Sequence, residues 1–322
     1  MVKKEEKKRR GISGEVNWDV FRSTVALYIA SAWLCALSLQ YFTQKGAQTT
    51  TGDGVDELIG AGGPSIFAVL MAVAAIAHSF AVLKPAVSVS EIVTTMILGL
   101  LFGLLPGLLM SGVYVVPLPL LLYGCSVSIA HLFEYLFVCG YHCDELDWES
   151  FLINQSTAYI MAHCFALAEY AVEYLLVPSW LKLDISSVPA FGFGMLVIGH
   201  FFRIGAMFTA AQSFHHKVQY EKADSHVLVT SGVYQLVRHP SYFGWTLWAV
   251  GTQVMLVNPV STVGFIGASF MFFKDRIPYE EELLVDFFGE AYIKYALKTP
   301  IGLPFIESFI RESDFSEEKR SD

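Results

Sequence analysis

The longest charge-free stretch of the sequence is "IVTTMILGLLFGLLPGLLMSGVYVVPLPLLLYGCSVSIAHLF", residues 92–133. As a single helix rising about 1.5 Å per residue it would measure roughly 63 Å, about twice the thickness of a bilayer's hydrocarbon core. The stretch therefore predicts two membrane helices. The residues Pro106-Gly107, Gly112 and Pro117 supply the break between them, because proline and glycine interrupt helices.

The composition of the whole chain agrees with a membrane location. Of the 322 residues, 54% are hydrophobic and only 16% are charged, and the mean hydropathy is +0.49. These values are typical of an integral membrane protein. Apolar runs long enough to cross a bilayer predict spans near residues 20–42, 65–83, 92–110, 113–138, 157–178 and 188–213.

A last uncharged run extends from Tyr242 to Phe273 and has a break near its middle. The break is Asn258-Pro259, a dipeptide that favours a turn over a continuing helix. We therefore expect two helices of about 14 residues each, which form a short hairpin in the membrane. The predicted fold class is an all-α integral membrane protein with about eight transmembrane helices, of which the last two form this hairpin.

An even number of spans places both chain ends on one side of the membrane. The first ten residues carry six basic and two acidic groups, which predicts that this side is cytosolic. The segment 214–241 and the segment after Phe273 then also face the cytosol. The resulting organisation has a cytosolic N-terminal segment, N-terminal membrane helices, a catalytic core with cytosolic cofactor-binding segments and a mobile tail, at 1–19, 20–190, 191–306 and 307–322.

Charge and motifs exclude several classes of function. The net charge of −9 and the lack of a basic stripe interleaved with aromatics argue against a nucleic-acid partner. No glycine-rich loop follows a predicted strand, and neither Gly-x-Ser-x-Gly nor His-Glu-x-x-His occurs, so dinucleotide-fold, phosphate-loop and hydrolase chemistry lack support. The five cysteines suggest no disulfide framework, and "CGYHC" at 139–143 fits no standard zinc spacing, so we predict no metal.

Ionisable residues inside predicted spans are informative, because each costs at least about 2.5–3.5 kcal/mol to insert near the bilayer centre. They are Glu134, Glu169, Glu173, His200 and Arg203. Two interpretations stay open: they form interhelical ion pairs, such as Arg203 with Glu169, or they serve function. For Arg203 the position near the cytosolic end of its helix favours function.

Two motif-rich blocks lie on the predicted cytosolic face: "QYEKADSHVLVTSGVYQLVRHPSYFGW" at 219–245 and "FFKDRIPYEEELLVDFFGEAY" at 272–292. Together they resemble the isoprenylcysteine carboxyl methyltransferase family, integral membrane enzymes that use S-adenosylmethionine. The resemblance is strong over about residues 195–306. The residues that carry it are Gly232-Val233-Tyr234, Arg238-His239-Pro240-Ser241-Tyr242, Gly244, Glu280-Glu281 and "TPIGLPFI" at 299–306.

The resemblance implies a methyl transfer from S-adenosylmethionine to the C-terminal α-carboxylate of a prenylated cysteine. The substrates would be CaaX-type proteins of the small-GTPase kind after proteolytic trimming, and the product a methyl ester. It further implies a multi-pass protein of the endoplasmic reticulum membrane with its active site facing the cytosol. Two alternatives remain: a sterol-type membrane reductase that uses NADPH, and a transporter with a polar path through the spans.

By resemblance, the cofactor pocket holds residues of both blocks. Pro240 fits the first turn of a helix, whose free N–H groups suit a carboxylate, and the extended segment 226–229 offers backbone amides to the adenine. Glu280 lies four residues after Arg276 on one helix face, so the two are expected to orient each other unless they form only a surface ion pair. The predicted cofactor-binding residues are Gln219, His226, Val227, Leu228, Val229, Tyr234, His239, Tyr242 and Glu280.

The methyl acceptor places different demands on the site. A C-terminal carboxylate has a pKa near 3.5 and is ionised at neutral pH, so no general base is needed and an arginine fork can orient it. Arg276 is the first candidate, Arg203 the second, and Tyr242 completes the predicted catalytic set. Trp245 and Phe243 are expected to edge the passage for the lipid, although Trp245 also suits an interfacial aromatic belt.

Overall fold

The computed structural model describes residues 18–51, 66–84, 86–112, 116–153, 155–176, 187–222 and 226–310. Regular structure in this part of the chain is helical. The chain forms two compact units, which divide between Thr157 and Ala158. Most of the predicted N-terminal segment and of the predicted tail lies outside the described residues, whereas the predicted catalytic core lies in the second unit.

Each predicted span coincides with a helix, although the ends differ by several residues. The first unit holds α1 (Trp18–Thr51), α2 (Ile66–Leu83), α3 (Val89–Ser111) and α4 (Leu118–Tyr141). The second holds α5 (Thr157–Leu176, apart from its first residue), α6 (Ser187–Ala210), α7 (Pro240–Leu256), α8 (Pro259–Phe288) and the short α9 (Glu290–Ala296).

Four stretches of the described chain are long and apolar enough to cross a membrane. They are Trp18–Gln40, Val89–Ser111, Leu118–Tyr141 and Ser187–Ser213. The other long helices meet these demands less well: α5 carries Glu169 and Glu173, and α7 has 17 residues, fewer than the roughly 20 that a span needs. The fold is therefore all-α, with four candidate membrane spans in the described residues.

In the first unit α3 packs closely on α1 through three glycines that recur every fourth residue, Gly99, Gly103 and Gly107. A Cβ atom added at Gly103 would lie 2.2 Å from the carbonyl oxygen of Ala32, so no larger residue fits there. Small residues at this spacing allow two helix backbones to approach, which is a common way of packing helices in lipid.

In the second unit, α6 and α7 pack closely through glycines in the same way. Two glycines seven residues apart on α6 meet two with the same spacing on α7: Gly192 and Gly199, and Gly244 and Gly251. A Cβ atom at Gly244 would lie 2.4 Å from the backbone nitrogen of Arg203. The close packing therefore brings the Arg203 turn of α6 beside the Arg-His-Pro end of α7.

The predicted break of the last apolar run is confirmed, but the predicted length of the second helix is wrong. Helix α7 ends at Leu256, Val257 takes a left-handed backbone conformation with φ of 59°, and α8 begins at Pro259. Helix α8 then runs for 30 residues to Phe288 and passes through Pro278. Charges after Phe273 end the apolar run without ending the helix, because lysine, arginine and glutamate are good helix formers.

Glu169 connects α5 to the start of α8. Its carboxylate accepts hydrogen bonds from the backbone N–H groups of Val260 and Ser261, both at 2.7 Å, and from the hydroxyl of Ser261. The first N–H groups of a helix lack partners within it, so this carboxylate acts as a cap supplied by another helix. The interpretation that Glu169 pairs with Arg203 is therefore wrong, since both of its oxygens are engaged at α8.

Removal of this cap should destabilise the second unit. We expect Glu169→Ala to lower the free energy of unfolding by about 1.5–3 kcal/mol, the usual contribution of a hydrogen bond to a charged group. Glu169→Gln keeps one acceptor oxygen and should lose less. Thermal unfolding of the purified proteins in detergent micelles measures the order, and equal midpoints for both variants and the native chain would show that the cap contributes nothing.

Candidate functional site

A cavity of about 190 Å³ lies where α7 begins. Pro240 occupies the first turn of that helix, as the sequence predicts. The lining comes from the end of α6 and the segment after it, from 226–229, from the Arg-His-Pro motif, from α8 and from α9. All nine residues predicted to bind the cofactor line this one cavity: Gln219, His226, Val227, Leu228, Val229, Tyr234, His239, Tyr242 and Glu280.

The residues predicted to handle the substrate are placed less uniformly. Arg203 lines the cavity, whereas Arg276, Phe243 and Trp245 are not among the described residues that do so. Arg203 donates a hydrogen bond to the hydroxyl of Ser241, and its guanidinium lies 5.7 Å from the ring centre of Phe214. These contacts hold Arg203 at the cavity wall.

Tyr242 lies between Arg276 and Glu280. Nε of Arg276 donates to the Tyr242 hydroxyl at 2.9 Å, and that hydroxyl donates to Oε2 of Glu280. Nη2 of Arg276 donates to the carbonyl oxygen of His216 at 3.0 Å. Arg276 and Glu280 are therefore coupled through Tyr242 of α7, which lies between these two residues of α8, and not by a surface ion pair.

Two atoms of this group remain available. Among the described residues, Oε1 of Glu280 and Nη1 of Arg276 have no hydrogen-bond partner. The guanidinium of Arg276 lies 5.5 Å from the ring centre of Tyr242 and 5.4 Å from that of Phe272. Aromatic faces on both contacts remove water from the cation, which strengthens its attraction for an anion.

The segment 226–229 is irregular and has no strand partner among the described residues. Its conformation is held by side chains: the backbone N–H of Val227 donates to Oγ of Ser213 at 3.1 Å, and the Nε2 atoms of His226 and His215 lie 3.1 Å apart. Leu228 packs against the buried cluster around Tyr292. The amide of Val227 is thus used within the protein, so it is not available to an adenine.

The sequence alone did not assign a role to Glu281, which the structure places at a buried hub. Its side chain is 0% exposed. Its oxygens lie 2.8 Å from Nε of Arg238, 3.3 Å from Nε2 of His239, 2.6 Å from Oγ of Ser308 and 3.0 Å from the backbone nitrogen of Phe309. These partners are 27 to 43 residues away along the chain, so no local pattern reveals the hub.

Arg238 extends the hub to the chain after α9. Its Nη1 donates to the carbonyl oxygens of Ala296 and Thr299, and its Nη2 donates to Oγ of Ser308 at 2.9 Å. Its backbone N–H donates to the carbonyl oxygen of Pro300 at 2.8 Å. Arg238 therefore ties residues 296–308 to the cavity wall, although the sequence motif alone would suit a ligand-binding arginine.

The hub controls the ionisation of Glu281. Burial, the largest effect, raises the pKa of the carboxyl group. The hydrogen bond and electrostatic attraction of His239, the hydrogen bond of Ser308 and the charge of Arg238 together outweigh it. The pKa of Glu281 falls from 4.5 to about 2. At neutral pH the carboxylate is ionised and can only accept hydrogen bonds.

An aromatic run continues from the cavity along α7. Tyr242 packs on Phe273 with ring centres 4.7 Å apart, Trp245 meets the same Phe273 at 5.9 Å, and Phe243 meets Phe202 at 4.8 Å. These rings join the polar cavity to the apolar part of the helices. Such an arrangement suits a ligand with one polar and one hydrocarbon end.

The sequence prediction for metals concerns Cys139, His142 and Cys143. The thiol of Cys143 donates to the carbonyl oxygen of Cys139 at 2.7 Å, within the end of α4 and the turn that follows. Nowhere in the described ranges do three or more His, Cys, Asp or Glu residues form a group that could hold a metal ion. All five cysteines are free thiols.

The donor set of the cavity fits S-adenosylmethionine, the cofactor that the resemblance implies. A zwitterionic amino-acid group needs an acceptor and a donor, which Glu280 and Arg203 supply at the wall. Oε1 of Glu280, which lacks a partner in the described chain, is an acceptor of this kind. The rings of Phe214, Tyr234 and Phe287 offer apolar and aromatic surface to an adenine and to a sulfonium.

Comparison with known proteins identifies similar sequences. Residues 192–286 match the model of the isoprenylcysteine carboxyl methyltransferase family. The chain is 39% identical over 257 residues to a protein-S-isoprenylcysteine O-methyltransferase of Xenopus laevis, which covers 80% of this chain and 88% of the relative. It is 40% identical over 225 residues to the Saccharomyces cerevisiae enzyme of the same name, covering 68% and 91%. For the Homo sapiens enzyme the identity is 44% over 185 residues, covering 58% and 64%.

A solved structure is also similar to this chain. It is the structure of a eukaryotic intramembrane Ras methyltransferase, an isoprenylcysteine carboxyl methyltransferase, and it superposes with a TM-score of 0.69 at 28% identity. The match covers 90% of this chain and 98% of that chain. The alternatives of a sterol-type reductase and a transporter gain no support from these similarities.

The pKa of Glu281 predicts an acid-dependent stability. Because the folded-state pKa lies below the ordinary value, the hub stabilises the fold above about pH 4.5 and loses its contribution as the pH falls toward 2. The lowered pKa corresponds to about 3 kcal/mol. Native protein should therefore be more stable than Glu281→Gln at pH 6, and the difference should narrow at pH 3.

Thermal unfolding in detergent at both pH values measures this difference. Glu290→Gln is the control, since Glu290 lies outside the hub and forms an exposed pair with Lys294. A difference between native protein and Glu281→Gln that stays constant from pH 6 to pH 3 would contradict the lowered pKa.

Proposed function

The chain belongs to the isoprenylcysteine carboxyl methyltransferase family, and from this premise we propose that the cavity at the start of α7 is where its reaction takes place. The chain is an S-adenosylmethionine-dependent enzyme that methylates the carboxylate of a prenylated cysteine and yields a methyl ester. The observation that carries the proposed location is that all nine predicted cofactor residues line one cavity.

Different residues of the cavity bind different parts of the cofactor. We assign the acceptor role for its ammonium group to Oε1 of Glu280, and the donor role for its carboxylate to Arg203 and the N–H groups at the start of α7. Aromatic and apolar side chains enclose the adenine on the side of Leu228 and Phe287. When bound, S-adenosylmethionine supplies an electrophilic methyl group.

Arg276 is assigned to the substrate carboxylate. Its Nε and Nη2 are held by Tyr242 and by the His216 carbonyl, while Nη1 has no partner in the described chain. Two fixed contacts leave the guanidinium with one orientation, so Nη1 and the second hydrogen of Nη2 can grip the carboxylate as a fork. Tyr242 serves the reaction by fixing Arg276 rather than by exchanging a proton.

The reaction requires these residues to orient the substrate and does not require them to act as acids or bases. The carboxylate is already ionised, so a lone pair of its oxygen forms the new O–C bond as the C–S bond breaks, and S-adenosylhomocysteine leaves with the sulfur electron pair. The residues must align that oxygen with the methyl group and keep water away from it. Arg276, packed between Tyr242 and Phe272, provides both the alignment and part of the shield.

The location and the partners follow from the two ends of the substrate. A farnesyl or geranylgeranyl chain needs hydrocarbon, while the carboxylate must meet a cofactor from the cytosol. We assign the lipid to the aromatic run of Trp245 and Phe243, and the carboxylate to Arg276. The proposed setting is the endoplasmic reticulum membrane, with eight spans, a cytosolic cavity and prenylated CaaX proteins of the small-GTPase kind as substrates.

Binding measurements test the cofactor site. Calorimetric titration with S-adenosylhomocysteine should show binding, whereas reduced nicotinamide dinucleotide phosphate should show none. Glu280→Ala should weaken the affinity by about 1.5–3 kcal/mol, since it removes a charged acceptor, while the fold persists. Glu282→Ala, two residues on and exposed, is the matched control. An unchanged affinity in Glu280→Ala would remove Glu280 from the site.

Rates test the orientation mechanism. Arg276→Lys keeps the charge but loses the fork, so we expect turnover to fall by at least about tenfold, because a point charge does not fix the attacking oxygen. In the native enzyme, turnover should be flat from about pH 8 down to pH 5, since the nucleophile ionises near 3.5. Initial rates at saturating prenylcysteine substrate measure both effects. A tenfold loss per pH unit below about 6.5, abolished by substitution of His239, would instead make His239 a general base.

A further inference from the structure

His239 is held in one orientation beside the cavity. Its ring is parallel to that of Tyr242 within 4°, with centres 5.5 Å apart, and the residue is only 5% exposed. Its Nε2 atom lies 3.3 Å from Oε1 of Glu281, at the buried hub. The imidazole therefore connects the hub on one side with the cavity on the other.

The chemistry of Glu281 decides which ring nitrogen carries the proton. An ionised carboxylate only accepts hydrogen bonds, so the contact with Glu281 requires a proton on Nε2 of His239. In a neutral imidazole the other nitrogen, Nδ1, then carries a lone pair and acts as an acceptor. Among the described residues Nδ1 has no hydrogen-bond partner, and the ring lines the cavity.

We propose that Glu281 is a positioning residue that holds His239 with its proton on Nε2, so that Nδ1 presents a fixed hydrogen-bond acceptor to the bound cofactor. The matching group is an N–H or O–H donor of S-adenosylmethionine, either its ammonium or a ribose hydroxyl. This inference rests on the proposed cofactor site. Glu281 then contributes to cofactor binding in addition to forming the buried ion pair with Arg238.

The rest of the hub makes this arrangement rigid. Oε1 of Glu281 also accepts from Nε of Arg238 at 2.8 Å, and Oε2 accepts from Ser308 and from the backbone of Phe309. The backbone N–H of His239 donates to the carbonyl oxygen of Ile301 at 3.3 Å. The carboxylate cannot rotate away without breaking several bonds, so it stays within reach of Nε2 of His239. A second-layer carboxylate that fixes a histidine tautomer is a familiar device at ligand-binding sites.

The tautomer can be measured without any cofactor. Protein labelled with ¹⁵N-histidine, in detergent micelles at about pH 8 where a free imidazole is neutral, should show for His239 a protonated Nε2 and a bare Nδ1. The signal is assigned by its loss in His239→Asn. A proton on Nδ1, or a shift averaged between the two nitrogens, overturns the proposal.

Variants of the hub separate positioning from general packing. Glu281→Gln should give an averaged or reversed tautomer, because an amide can donate as well as accept. Ser308→Ala removes another partner of Glu281 and leaves the contact with His239, so it should keep the native tautomer. An unchanged tautomer in Glu281→Gln would show that the carboxylate does not set it.

Isosteres of His239 test the acceptor directly and do not depend on the stability of Glu281→Gln. In His239→Asn the amide oxygen can occupy the place of Nδ1, whereas His239→Gln restores only a donor near Nε2. We expect Asn to bind S-adenosylhomocysteine at least about fivefold more tightly than Gln, the worth of one hydrogen bond. Equal affinities, or tighter binding by Gln, overturn the acceptor role. Native protein that shows the expected tautomer but no binding would overturn the proposed cofactor site instead.

Discussion

The buried ion pair of Arg238 and Glu281 is the constraint on which the functional part of this protein depends. Burial of two charges is costly, and their attraction offsets that cost only when the remaining donors and acceptors are satisfied. Here they are: both oxygens of Glu281 have several partners, and Arg238 binds two carbonyl oxygens and a serine besides the carboxylate. The pair joins α7, α8, α9 and the chain after α9 at one point.

This pair also explains how a polar cavity survives beside apolar helices. The glycine contacts of α6 and α7 fix the apolar side of the cavity, where backbones meet at distances that no side chain tolerates. They do not reach the other side of the cavity, where the described segments 214–222 and 226–231 contain no helix. The hub holds that side instead, because directional hydrogen bonds do not rely on an apolar core. The glycine contacts act through packing and the hub acts through electrostatics, and the cavity lies between the two.

The sequence predicted the features that depend on local pattern. Charge-free runs located the helices, and Asn258-Pro259 located the break between α7 and α8. The two motif-rich blocks at 219–245 and 272–292 supplied nine predicted cofactor residues, all of which line one cavity. It failed where partners are distant. A pair of Glu169 with Arg203 was one of the interpretations left open, but Glu169 caps α8, and nothing near position 169 indicates a helix start some 90 residues later. The length of α8 was missed for another reason: hydropathy shows where an apolar stretch ends, not where a helix ends.

Glu280 and Glu281 show why adjacent carboxylates in the same motif are not interchangeable. Successive residues of a helix point about 100° apart, so two neighbours face different surroundings. Glu281 turns inward to Arg238 and His239, and both of its oxygens have partners, while Glu280 turns to Tyr242 and the cavity and keeps one oxygen free of partners in the described chain. A carboxylate whose oxygens are all hydrogen-bonded within the protein stabilises the structure, whereas one with an unpaired oxygen can bind a ligand. The helix therefore gives one dipeptide a structural residue and a binding residue. Tyr242, whose hydroxyl contacts both Glu280 and Arg276, extends the same hydrogen-bonded framework to the residue assigned to the substrate.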